Sequence, residues 1–278
     1  MSENIPQNIL VSIITVVYNG ERHIADAVKS ITSQTYPNIE HVVMDGASTD
    51  RTVAIVKELN PKAVIVSEPD SGALEALNKG LRMVKGDVIG LLNSDDYYAD
   101  ENVIQKVVDA FIADKSAKVL YGTMQMVDSA DGKLILRKGR PVTSEDSGLN
   151  YLKAVLASDI APVVTMFAMR EVYDTVGPFS HEYSVIADGE YSIRMLKLYK
   201  PFFLNEVVII MRSGGLASQN IFKAHKDVYK LLRRENIGFM AAFGYYLYCC
   251  VLTFFSRLFL GSGMRGIVLA YRRLKGQL

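Results

Sequence analysis

The run Asp87-Val-Ile-Gly-Leu-Leu-Asn-Ser-Asp95-Asp96 carries four apolar residues, Val88, Ile89, Leu91 and Leu92, into two adjacent carboxylates. That apolar stretch is long enough for an interior strand and too short for a free-standing helix, so Asp95 and Asp96 fall where a strand leaves its sheet. Open α/β sheets bind ligands at that edge. Two neighbouring carboxylates repel, and a divalent cation on oxygen ligands makes the pair favourable. The cation would then hold a diphosphate. The competing reading makes these acids the cap of a following helix, and Val103, Ile104, Val107, Val108 and Phe111 behind Asp100-Glu101 show that a helix does follow.

The elements that must position these acids are legible on either side of them. Val11 to Val17 is a β-branched run ending at Tyr18-Asn19-Gly20, after which Ile24, Ala27, Val28 and Ile31 recur at helical spacing. His41 to Met44 leads to Asp45-Gly46, and Ser48-Thr49-Asp50 starts a helix carrying Val53, Val56 and Leu59. Ala63 to Val66 reads as a strand, and Leu74, Leu77 and Leu81 as one helical face. Strands and helices alternating at this length imply βαβ units and a largely parallel, right-handed doubly wound sheet. Its ligand edge would collect Asn19, Asp45, Asp70 and Asp95. Beyond Phe111 the rhythm changes. Val119 to Val127 and Leu134 to Arg137 flank Ser129-Ala130-Asp131-Gly132, a hairpin signal. Leu149 to Ala157 looks helical, Val163 to Met169 extended, Glu190 to Tyr199 helical and Val207 to Met211 extended.

The chain has 278 residues, enough for one α/β domain with an appendage, and 49% hydrophobic content supplies a core. Its 31 basic and 30 acidic residues leave +1, which gives no pull toward nucleic acid. The balance hides an asymmetry: Ile221 onward holds 10 Lys/Arg against 2 Asp/Glu, so the tail carries +8 and the body −7. The only cysteines, Cys249 and Cys250, are adjacent and cannot staple distant segments, which fits a reducing cytoplasm. Met1 to Asn8 lacks the basic start and apolar run of an export signal. The turn Tyr18-Asn19-Gly20-Glu21 is not G-x-G-x-x-G, and no P-loop motif occurs, so a nucleotide on this sheet needs a metal to neutralise its phosphates. The histidines are scattered without ligand spacing, and no G-x-S-x-G elbow supports Ser-His-Asp chemistry.

Five motifs follow one another in order: Val11-Ser-Ile-Ile-Thr-Val-Val-Tyr-Asn19, Ser30-Ile-Thr-Ser-Gln34-Thr-Tyr-Pro37, Asp45-Gly-Ala-Ser-Thr-Asp50-Arg-Thr52, Asn78-Lys-Gly80 and Leu92-Asn-Ser-Asp-Asp96. Together they resemble the family 2 glycosyltransferases, an inverting group with the GT-A fold, over roughly residues 10 to 215. The resemblance implies a Rossmann-like, mostly parallel sheet flanked by helices. It implies donor contacts from Val17, Tyr18, Asn19, Asp45 (to the base), Asp70, Asn93 and Ser94, with Asp95 and Asp96 at a Mn²⁺ or Mg²⁺ ion bridging the diphosphate. Asn93 stands where an aspartate is commoner; it keeps an oxygen ligand but drops a charge, so Asp96 would share the work. Leu77 stands where many members carry an arginine. Asp188-Gly-Glu190-Tyr-Ser-Ile-Arg194 resembles the family's acidic motif and implies that Asp188 is the catalytic base, which an acceptor hydroxyl requires. Arg212-Ser-Gly-Gly215-Leu-Ala-Ser218 resembles the family's loop over the donor. The segment Ser67 to Gly80 is similar to the branch that builds bacterial surface polysaccharides.

Residues 1–218 therefore read as the transferase domain and 219–278 as a basic, apolar helical tail. Ile237 to Ser256 is a 20-residue run without charge, crowded with Tyr and Phe and flanked by arginines on both sides. It could lie in the anionic interface of a cytoplasmic membrane, pack on the body, or span the bilayer; the flanking charge favours the interface. The activity expected is metal-dependent transfer from a nucleotide-sugar, UDP-sugar favoured, to a saccharide or lipid-linked saccharide. The rivals are a nucleotide-sugar pyrophosphorylase, which would want a Gly-rich first loop bearing Lys or Arg, and an inactive scaffold, which would have lost the acids.

Overall fold

A computed structural model describes residues 8–183, 185–213 and 221–260, with side chains as far as residue 254. The N-terminal half is built as β1 (Val11–Val17), α1 (Ile24–Thr32), β2 (Ile39–Asp45), α2 (Thr52–Leu59), β3 (Val64–Ser67), α3 (Ala73–Met83) and β4 (Val88–Leu91). All four residues of β4 are buried, as a strand covered on both faces must be. In α1 the buried residues Ile24, Ala27, Val28 and Ile31 form one helical stripe against the sheet.

The order β3-β2-β1-β4 is parallel throughout and sets the strand ends level: Val17 lies opposite Asp45, and Asp45 opposite Ser67. In β4, Leu91 pairs with Ile14, and the Leu92 N–H still donates to the Ile14 carbonyl at 3.0 Å. Residues 93–96 therefore emerge beside the ends of β1 and β2.

Beyond β4 the sheet is mixed. β5 (Tyr97–Tyr98) and α4 (Val103–Ala113) precede β6 (Val119–Val127) and β7 (Leu134–Lys138), which form the expected antiparallel hairpin. A short turn permits no other sense, and Gly132 closes it at φ +70°. Then come α5 (Gly148–Leu156), β8 (Met166–Met169), α6 (Arg170–Val176), α7 (Ala187–Leu198) and β9 (Pro201–Arg212). Val163–Thr165, expected as part of a strand, is a 3₁₀ turn behind Pro162, and only Met166–Met169 joins the sheet. β8 is antiparallel to both β4 and β6, β9 is parallel to β6, and β5 is antiparallel to β9. That last pairing, Tyr97 opposite Ile210, sews the loop of acids to the end of β9.

Helices α8 (Ile221–Arg234) and α9 (Phe239–Leu260) form the C-terminal extension. Leu231, Leu232 and Ala242 are each 0% exposed and belong to the same apolar cluster as the strands. Among the described residues no helix is long and apolar enough to cross a membrane. Because Leu231 fills space in a shared core, Leu231→Ala should destabilise the whole chain by about 2–5 kcal/mol in a single denaturant transition. A loss confined to the tail's own signal, with the body's transition unmoved, would make α8 a separate unit.

Candidate functional site

At the level strand ends, buried polar groups tie the loops together. Asp45, only 2% exposed, accepts from the Ser48 N–H at 3.0 Å, the Ser48 hydroxyl at 2.5 Å and the Ser67 hydroxyl at 2.5 Å. Asn19 takes the left-handed conformation, φ +48°, which asparagine tolerates better than most residues. Its N–H donates to Ser48 Oγ at 2.7 Å and its side-chain oxygen accepts from the Thr49 N–H at 2.9 Å. The loops after β1 and β2 thus hold each other. Tyr18 is left projecting, 66% exposed.

Asp70 stands over this junction. A β-carbon on Gly46 would lie 3.0 Å from Asp70 Oδ2, so glycine leaves the room that the carboxylate occupies. The Asp70 turn is braced by Glu75, which accepts from the Ser71 N–H and hydroxyl, and by Lys79, which bridges Glu68 at 2.7 Å and Glu75 at 2.9 Å. Lys79 is one member of the Asn78-Lys79-Gly80 motif, and its neighbours are equally structural. Asn78 clamps both backbone groups of Phe179, at 3.0 and 2.8 Å. Gly80 abuts Ile14, whose Cγ2 would be 2.8 Å from an added β-carbon.

The two adjacent acids differ in surroundings. Asp96 is 1% exposed, accepting from Asn93 Nδ2 at 2.9 Å and from the Arg212 N–H at 3.2 Å. Burial, and then the charge of Asp95, push its carboxyl up to about 7, against the pull of those hydrogen bonds. Each of its two oxygens accepts one of these hydrogen bonds and keeps a further lone pair. Asp95 is half-buried, and among the described residues its carboxylate has no hydrogen bond or ion pair. Ser94 is half-buried between them and Asn93. The Arg212 guanidinium, at the end of β9, donates to the Asp95 carbonyl at 2.7 Å and to Asp26 at 2.5 Å, and lies 4.9 Å from the Tyr97 ring centre. His23 sits close enough to feel Asp95, yet burial and then the charges of Arg212 and Arg22 hold its pKa below the usual histidine value.

Among the described residues no group of three or more His, Cys, Asp or Glu side chains could hold a metal ion. An open carboxylate beside a second acid and an amide oxygen nevertheless suits a Mg²⁺ or Mn²⁺ ion whose remaining ligands are phosphate oxygens and water, the usual arrangement where substrate completes the shell.

Behind this loop lies a small recess open to solvent, bordered by Asn93, Asp188, Val16, Leu77, Val163 and Val164 among others. Asp188, in the first turn of α7, is reachable by solvent at its side, yet the surrounding walls desolvate the carboxylate and raise its pKa. Leu77, Val163 and Val164 make those walls apolar. The structure therefore brings Asn93 and Asp188, 95 positions apart by subtraction, to one cavity.

Asp26 and Tyr97, and the recess wall of Val163 and Val164, carry no sequence signal that links them to the acids; Arg212, marked in the sequence only as the start of the loop expected over the donor, reaches Asp26 across 186 positions. Residues 214–220, which hold most of the loop expected over the donor, lie outside the described residues.

Comparison with known proteins bears on this arrangement. Residues 12–165 match the family described as Glycosyl transferase family 2. An uncharacterised glycosyltransferase of Mycobacterium tuberculosis is 27% identical over 211 residues, covering 75% of this chain and 77% of that protein. Chondroitin synthase of Pasteurella multocida is 34% identical over 205 residues, 71% of this chain but only 20% of that enzyme. Among solved structures, residues 1–349 of TarS from S. aureus align with TM-score 0.60 and 19% identity, covering 93% of this chain and 74% of that one. Against a longer TarS chain the match covers 39% of its length. A mannosyltransferase of Pyrobaculum calidifontis, solved with GDP-Man and Mn²⁺, aligns with TM-score 0.59 and 18% identity over 96% of this chain and 87% of that one. With more than half its length matched by the family and its fold that of the GT-A transferases, the chain belongs to glycosyl transferase family 2 and is a glycosyltransferase.

Proposed function

We propose that the chain transfers a sugar, with inversion, from a nucleotide-sugar to a hydroxyl of a saccharide or lipid-linked saccharide, in the synthesis of a cell-envelope polysaccharide. The observation that carries this reading is the single recess shared by Asn93 of the acid loop and Asp188 of α7. A donor held at the acid loop would then have Asp188 close to its anomeric carbon, which supports Asp188 as the base. Asp188 takes the proton of the acceptor hydroxyl as it attacks, and burial, by raising its pKa, makes it the stronger base. Val17, Tyr18, Asn19, Asp45, Asp70, Asn93 and Ser94 hold the donor, with Tyr18 as the exposed aromatic face for a base to stack on.

Asp95, supported by Asp96, would hold a Mn²⁺ or Mg²⁺ ion, which when bound neutralises the departing diphosphate. A UDP-sugar is favoured as donor. TarS residues 1–349 were solved with UDP-GlcNAc, and the Pyrobaculum enzyme with Mn²⁺, which supports the donor class and the ion. Chondroitin and hyaluronan synthases among the relatives support a saccharide acceptor.

The tail favours a membrane-associated acceptor on the cytoplasmic side. Along α9, Met240, Phe243, Leu247, Val251 and Phe254 are exposed on one stripe, Met240 to 81%. The tail's +8 charge accompanies that stripe, as in helices that lie in an anionic interface. Residues 1–218 would then be the catalytic part and 219–278 the part that meets lipid.

Asp188→Asn should keep UDP affinity while transfer falls about 10²–10⁴-fold, whereas Asp95→Asn should lose the Mn²⁺ stimulation. Equal losses of affinity and rate in the first variant would remove Asp188 from the base role. Mn²⁺ affinity should fall as pH drops through about 7, because Asp96 takes up a proton that the ion must expel. Calorimetry in two buffers of different ionisation heat reads that proton; binding unchanged between about pH 6 and 8 would separate Asp96 from the ion. Vesicle binding should increase with anionic lipid and weaken in high salt. Sedimentation that ignores both variables would argue against an interfacial α9.

A further inference from the structure

We propose that Arg234, in the last turn of α8, is a positioning residue for catalysis: it clamps Glu190 and thereby fixes the rotation of the helix that presents Asp188. The proposal rests on the reading of Asp188 as the base. Glu190 is 1% exposed, and a carboxylate so buried must be paired or neutralised. Arg194 supplies one partner, with Nε 3.0 and 3.1 Å from the two Glu190 oxygens. Arg234 supplies the other, with Nη2 2.7 Å from Oε1. Each guanidinium is held on its far side. Arg194 donates to the carbonyls of Val176 and Pro178, both at 2.8 Å, and lies 4.8 Å from the Tyr191 ring centre. Arg234 lies 5.1 Å from the ring centre of Tyr183, which is itself 1% exposed. The next residue, Glu235, forms an ion pair with Lys197 of α7, so two successive residues at the end of α8 grip one helix.

Helix geometry converts this grip into a catalytic consequence. Each residue advances about 100° around an α-helix, so positions 188 and 190 are about 200° apart. The recess and the Arg234 clamp therefore lie on nearly opposite sides of α7. A turn of α7 that frees Glu190 from Arg234 must also swing Asp188 relative to Asn93. A displacement near 1 Å of a reacting group can cost about 10²-fold in rate. Phe179, stacked on Tyr191 with ring centres 3.8 Å apart and pinned by Asn78, steadies the helix from the α3 side. The α8 side has Arg234. Residue 234 lies well beyond the matched family segment, which ends at residue 165.

The test uses the full chain with Mn²⁺ and whichever of UDP-GlcNAc, UDP-glucose or GDP-mannose it hydrolyses best, following release of the nucleoside diphosphate, and measures binding of that diphosphate separately. Arg234→Gln should lower kcat by about tenfold, with KM and diphosphate affinity within about twofold. Arg234→Lys, which keeps the charge, should recover most of that rate. In an Asp188→Asn background, Arg234→Gln should add no further loss, since residues that act through one another are not additive. An undiminished kcat, a matching loss of diphosphate affinity, or the same fractional loss without Asp188 would overturn the proposal. If Arg234→Gln does not fold, Arg234→Lys in the two backgrounds makes the same comparison, its smaller loss again expected to vanish without Asp188. Full turnover by Asp188→Asn alone would instead remove the base reading, and hydrolysis of none of the three donors would remove both.

Discussion

The cost of burying a carboxylate organises this molecule. Asp45, Asp96 and Glu190 are 2%, 1% and 1% exposed, and an ion taken that far from water survives only with donors aimed at it or with a proton. Their donors come from elsewhere in the chain. Asp45 draws in Ser67 from the end of β3, Asp96 draws in Arg212 from the end of β9, and Glu190 draws in Arg234 from α8. Each buried acid thus closes a long loop.

Two other acids remain open to solvent. Asp95 projects from the same loop as Asp96 without a side-chain partner among the described residues, and Asp188 precedes Glu190 on the same turn of α7 with only the recess before it. In both places a sealed acid and an open acid are near neighbours in sequence. The first fixes the backbone so that the second need not be fixed by its own hydrogen bonds. Raised pKa values on Asp96 and Asp188 have the same leading cause, loss of water, and differ in its consequence: Asp96 is sealed in, whereas Asp188 still meets solvent at one side.

Local pattern was enough to find the parallel half of the sheet. β-Branched runs and helical spacing located β1, α1, β2 and β4, and the acids do sit at the strand ends. The Ser129–Gly132 turn predicted the hairpin for the same reason, since its chemistry is contained in a few residues. What depends on distant partners was hidden. Nothing in Val163–Met169 says that its first three residues turn behind Pro162, or that the rest runs antiparallel to β4. Asp95 and Asp96 look equivalent in sequence; only the arrival of Arg212 from β9 separates the sealed acid from the open one. Asn78 and Gly80 read as family markers, and their reasons, a clamp on Phe179 and a close approach to Ile14, are tertiary.

The tail carries both kinds of information. Its charge and apolar run are visible without a structure, and they describe the face of α9 turned outward. The inward face was not legible, because Leu231, Leu232 and Ala242 are ordinary helix residues until the core they join is known. Arg233 and Arg234 make the point within one dipeptide. They looked like twin flanking charges, yet Arg234 pairs with the buried Glu190 while Arg233 donates to the Ile237 carbonyl at the start of the turn into α9. One arginine therefore grips α7 and its neighbour closes the hinge to the exposed helix. The ion pair that ties α8 to α7 thus lies within a few residues of the exposed helix, so the orientation of α9 and that of α7 are set at one joint.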